Sequence, residues 1–239
     1  MPQAPHLHAQ STPEALSLYQ CICGAIQGNG TLPRDFSLPR PERDHPQALR
    51  FADGAYDGIS LYHMAPDKRD IKSLTEIIGL ISTRAYDKAA ECLQLFFSID
   101  EYISLLPLID DLQSWIIAHK DRIDAGALYE FSRTLLKESQ HIESVKFALC
   151  CLELLNIDTQ VRNLVRVLAL SDEFTLYALF LMRRWADGND AVWEAAQHVS
   201  GWGRIHAVAQ LEPGSDAIRR WLLLEGWRNN VAPDYSALT

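Results

Sequence analysis

No stretch of the 239-residue chain comes near the ~18 consecutive apolar residues that a membrane-spanning helix needs. The runs around Phe174–Met182 and Val161–Leu170 are both broken by polar residues, so no membrane association is expected. Met1–Ser11 carries His6 and His8 but no basic segment leading into an apolar one, which gives no expectation of a secretory signal. Positive charge is scarce: 22 Lys and Arg face 31 Asp and Glu, a formal charge of −9. That balance argues against general nucleic-acid binding, which rests on cations neutralising phosphates. Cysteines are few and odd in number, at 21, 23, 92, 150 and 151. They match neither paired CxxC nor Cys/His ligand spacing, so no metal is expected, and free buried thiols in a reducing cytoplasm are. Glycine-rich phosphate loops, HExxH, a nucleophile elbow and a Ser/His/Asp order are all missing, so neither a cofactor nor a catalytic residue is assigned.

Proline is concentrated rather than scarce. Eight of the eleven prolines lie in the first 66 residues, and only Pro107, Pro213 and Pro233 follow. The early region reads as a helix opened by Ser11-Thr12-Pro13-Glu14 and closed near Gly28. An irregular arm follows, pinned by Leu32, Phe36 and Leu38. From residue 67 onward apolar residues recur at spacings of three and four, and no alternating strand pattern interrupts them. The expected helices are 69–82, 84–98, 100–119, 123–138, 141–156, 158–169, 172–186, 189–199, 202–210 and 215–225. The fold class is therefore all-α, with an arm over 1–66 and a helical domain over 67–239.

The later helices also recur in pairs. First helices starting near His141, Asp172 and Trp202 each precede a partner starting near Asp158, Asn189 and Ser215. A unit of about 30 residues suggests an α-solenoid of about five hairpins, because one hairpin alone cannot bury its apolar face. The chain resembles α-solenoids of the HEAT/armadillo class with short, phycobilisome-lyase-type repeats. GTLPRDFSLP at 30–39, FADGAYDG at 51–58, LYHM at 61–64, DEFTLYA at 172–178 and GWGRIH at 201–206 are similar to stretches of a bacterial HEAT-like family. Some members of that family carry the designation limonene hydroxylase. The resemblance implies a helical-repeat fold and carries over no catalytic residue.

Four constellations are candidates for function. Asp53, Asp57 and His63 could serve as ligands or as an acid/base group; equally, Asp53 could cap a short helix in which Gly54 and Gly58 allow close packing. Trp202, Arg204 and His206 open a helix and could hold an anion, or Trp202 could pack between repeats while Arg204 pairs with Glu212. Second helices would present Arg162, Asn163 and Arg166, then Glu194, Gln197 and His198, then Arg219 and Arg220, as a binding face or as a solvated one. The acidic positions Asp87, Glu91, Asp100, Glu101, Asp110 and Asp111 suit a basic protein partner or simply aid solubility. The leading expectation is a non-catalytic protein–protein interaction module, of regulatory or immunity type. The alternative is an enzyme or small-ligand binder with a pocket near Asp53, Asp57 and His63. These two readings differ in one spatial prediction: the pocket requires residues 53–63 to lie against 202–206. The oligomeric state stays open.

Overall fold

The computed structural model describes residues 16–40, 51–64, 70–98 and 104–231. Within them twelve α-helices and no strand occur: α1 Leu18–Ala25, α2 Ala55–His63, α3 Lys72–Ser82, α4 Tyr86–Ser98, α5 Ile109–Ala118, α6 Ala125–Glu138, α7 Ile142–Leu152, α8 Thr159–Leu168, α9 Asp172–Met182, α10 Gly188–His198, α11 Gly201–Gln210 and α12 Asp216–Trp221. Short 3-10 turns at Leu106–Leu108 and Lys120–Arg122 and a π turn at Leu222–Gly226 complete the described helical segments. The chain is all-α.

Boundaries follow local chemistry. The Ser11–Glu14 cap, and the start of the helix expected at 100, lie outside the described residues. The first described helix is capped instead by Ser17, in a reciprocal box with Gln20, and it ends at Ala25, before Gly28. Pro107 sits in the 3-10 turn that leads into α5, so the α-helical run begins at Ile109. Asp124, Asp158 and Ser215 each accept a backbone N–H at the head of the following helix.

Two helices, α7 and α9, form the centre. In α7 and in α9, nine of eleven residues are buried. A helix that is apolar nearly all round must be covered on all sides. Accordingly α7 packs on α6 and α9, and α9 packs on α7, α8, α10 and α11. By contrast α8 buries one stripe, Val161, Val165 and Leu168, and turns Asn163 to solvent. The N-terminal elements close the assembly: α1 lies on α6 and α8, and α2 on α11. Of the five thiols, Cys150 and Cys151 are buried, Cys21 and Cys92 are half-buried, and Cys23 is exposed. The expectation of buried thiols therefore holds for two. The others sit on α1 and α4, where only one face meets the core.

Candidate functional site

The start of α2 is set by Gly54, whose φ of +71° is left-handed and whose N–H donates to Glu173 Oε2 at 2.9 Å. A side chain there would strike the Asp172 backbone. Gly54 thus does the capping expected of Asp53. Asp53 lies ahead of the helix and binds the arm instead, accepting from Leu38 N at 3.0 Å and Arg40 Nη2 at 2.9 Å. One turn into α2, a Cβ on Gly58 would overlap the Trp202 ring. Tyr62, one further turn on, meets His206 Nδ1 at 3.2 Å through its hydroxyl. Residues 53–63 and 202–206 are therefore in contact, as the pocket alternative requires.

Beneath α2 lies a buried ionic cluster. Lys146 Nζ donates to Asp57 Oδ2 at 2.7 Å, Glu143 Oε1 at 2.8 Å and Glu173 Oε1 at 2.6 Å. Asp57 also accepts from Ser104 Oγ at 2.6 Å and Tyr177 OH at 3.0 Å. Glu143 accepts from Leu105 N, and Glu173 is shared with Arg40 Nη2 at 2.6 Å. Lys146 is 2% exposed, so its charge survives only because three carboxylates surround it. Burial alone would lower the lysine; the three anions outweigh it and hold it well above its ordinary value. Burial likewise pushes the Asp57 carboxyl up. The Lys146 ammonium and the two hydroxyl donors outweigh that push and hold it below the usual carboxylate range. Glu143 has less help and is raised. The cluster is closed and hydrogen-bonded throughout, so it serves to fix α2 and the 104–106 turn on α7 and α9.

A cleft of about 630 Å³ opens beside this cluster, between the 27–36 segment and the ends of α9, α10 and α11. Asp53, Asp172, His198 and Trp202 line it, as do Asn29, Phe36 and Ser200. Asp172 has an unusual position. Ser200, at the N-cap of α11, makes no side-chain capping bond. The Asp172 carboxylate caps α11 from a neighbouring helix, accepting from Trp202 N at 3.1 Å and from the Gly203 amide. These amides favour its charge, but burial dominates, and nearby Asp53 and Glu173 add to it. The result is a carboxyl pushed up to about 7. No cationic side chain pairs with it among the described residues.

The remaining expected site residues are accounted for individually. His63, at the end of α2, is exposed and does not line the cleft. Arg204 does not pair with Glu212; it donates to the carbonyls of Ala196 and Glu225 and lies over the Trp221 ring. It therefore ties α11 to its neighbours and is not free for an anion. His206 is 1% exposed and held down to about 4 by burial, so it is neutral, with Nε2 unpartnered. Arg162 and Arg166 both stack on Trp185 and pair with Asp187, while Arg166 also meets Glu194. Arg219 is engaged by Asp216 and the Pro213 carbonyl. Of the acidic positions, Asp87, Glu91, Asp110 and Asp111 are exposed, and Asp100 and Glu101 lie outside the described residues.

Three residues of the site escaped the sequence reading: Lys146, Glu173 and Asp172. A lysine in the otherwise apolar run VKFALCCL was the available signal for the first. An acidic pair opening an apolar helix reads as ordinary dipole compensation and hides the other two. A scan against family models, a search of curated proteins and a search of solved structures each find no match to this chain.

Proposed function

We propose that the protein is a small-molecule-binding helical-repeat protein, with its site in the cleft between the 27–36 segment and α9–α11. The observation that carries this reading is Asp172. A partly buried carboxyl, with no cationic partner among the described residues, lines a cleft large enough for a ligand. Buried carboxyls without a counter-cation cost stability and collect where function needs them. The protein-interaction reading rests on the face of the second helices, with its arginines, and on the acidic positions. Arg162, Arg166 and Arg219 are already occupied by acids and carbonyls of the same chain, which weakens both that reading and nucleic-acid binding.

The spacing of the later helices is compatible with a helical repeat. First helices begin at 142, 172 and 201, and their partners at 159, 188 and 216, so the step is 28 to 30 residues throughout. We read these three hairpins as HEAT-like repeats, with the N-terminal arm covering one flank and creating the cleft. A cytoplasmic location fits the free, buried Cys150 and Cys151.

A second reading keeps one specific support. Asp87, Glu91, Asp110 and Asp111 face solvent, as do Leu95 at 60% and Ile117 at 58% exposure, which suits a basic protein partner. The deciding experiment is a ligand-observed NMR screen of small polar fragments against wild-type protein and Ser200→Trp. Ser200 is exposed and lines the cleft, so the indole would fill it without disturbing the core. Fragments should bind the wild type and be lost from the variant at unchanged melting temperature. A blank screen, or equal binding to both proteins, would remove the proposal and leave the acidic surface as the place to look.

A further inference from the structure

Resting on the cleft reading above, we infer that the ligand is an organic cation, a methylated or quaternary ammonium, with Asp172 as its counter-ion and the Phe36 and Trp202 rings as its apolar seat. Three carboxylates line the cleft: Asp35, Asp53 and Asp172. Asp53 is already offset by Arg40, whose guanidinium it shares with Glu173. Arg34 lines the cleft and is exposed. Asp172 accepts two backbone N–H groups and meets no cationic side chain among the described residues. An anionic ligand would add to this unbalanced charge, and a neutral one would leave it in place. A cation removes it.

The shape and chemistry of the walls narrow the class. Phe36 and Trp202 both line the cleft. Trp202 is held there because Gly58 lets α2 lie directly on its ring, while its own amide is fixed by Asp172. Aromatic faces attract cations through the ring quadrupole, and the gain is largest for weakly hydrated ones such as alkylated ammonium groups. The formal charge of −9 adds long-range attraction for any cation. A small inorganic ion is a poorer fit, because no group of three or more His, Cys, Asp or Glu side chains converges to hold one among the described residues.

Binding should take up the ionised form of Asp172 and release its proton to solvent. The titratable groups around that carboxyl are Asp53, Glu173 beside it on α9, and His198, which lines the same cleft from α10. The test uses the full chain and isothermal titration calorimetry with three probes of one shape and different charge: tetramethylammonium, tert-butyl alcohol and pivalate. Tetramethylammonium should bind most tightly, about tenfold tighter at pH 8 than at pH 6, since ionised Asp172 rises from about a tenth to nine-tenths across that range. Asp172→Asn should remove both the preference and its pH dependence. Asparagine still caps α11 well, so loss of fold is not the expected cause. Phe36→Leu should weaken the ammonium and leave the alcohol unchanged. Tighter binding of alcohol or pivalate would overturn the cation class while keeping the cleft. Silence from all three, with fragments still captured in the NMR screen, would also overturn the cation class alone. A blank fragment screen would overturn the cleft itself.

Discussion

Gly58 and Trp202 are a matched pair. The glycine carries no structural demand of its own, since it sits inside α2 with ordinary helical backbone, where alanine is favoured by roughly 1 kcal/mol. It is there because the Trp202 ring occupies the space of a side chain. Gly58→Ala should therefore destabilise the protein by about 1–3 kcal/mol in urea unfolding, the usual range for overpacking. In a Trp202→Ala background the same substitution should become neutral or stabilising. A similar cost in both backgrounds would contradict the pairing. His206 gives a pH prediction at the same scale. Its folded value is held near 4 by burial, below the ordinary 6.5 of the unfolded chain. The stability it contributes is full above 6.5 and is lost as pH falls from 6.5 toward 4, by up to about 3 kcal/mol. Stability of the wild type measured against His206→Gln should fall by that order between pH 7 and pH 4. A constant difference would show that His206 keeps its ordinary value in the fold.

At the scale of elements, the question is what fastens α2 to the central helices. Its apolar contribution is small: Ala55 is its one buried apolar side chain, beside Asp57 and Gly58. The attachment is ionic, through Asp57 to Lys146 and through Arg40 and Gly54 to Glu173. Removing one member of such a cluster leaves buried charge unpaired, which costs about 3–5 kcal/mol. Lys146→Met should lose that much, and adding Asp57→Asn should recover part of it rather than add a second loss. Simple additivity of the two would show that Lys146 and Asp57 do not act as a pair. The helices themselves were legible in the sequence because their apolar period is strong: α6, α8, α10 and α11 begin and end within two residues of expectation. The site was less legible. Asp53 and Asp57 looked like one helix face, yet Gly54 starts the helix between them and sends them to different tasks. The link from Lys146 to Asp57 spans 89 positions, and no local pattern encodes a contact at that separation.

For the whole molecule, the step of about 30 residues between helix starts was visible in the spacing of caps and breakers, and an N-terminal arm packed on the helical body was already an expectation of the sequence, while the residues that the arm meets were not legible. That packing changes the functional account. It brings 53–63 onto 202–206 and leaves a cleft beside the contact, with Asp172 on its wall. The account stands on the state of that one carboxyl. Its most direct test is a carbon-13 NMR titration of the Asp172 side chain, assigned by comparison with Asp172→Asn. In the free protein it should titrate at about 7, and saturating tetramethylammonium should move its midpoint downward as the cation pairs with it. A midpoint in the ordinary aspartate range near 4, unmoved by the ammonium, would contradict the account at its centre.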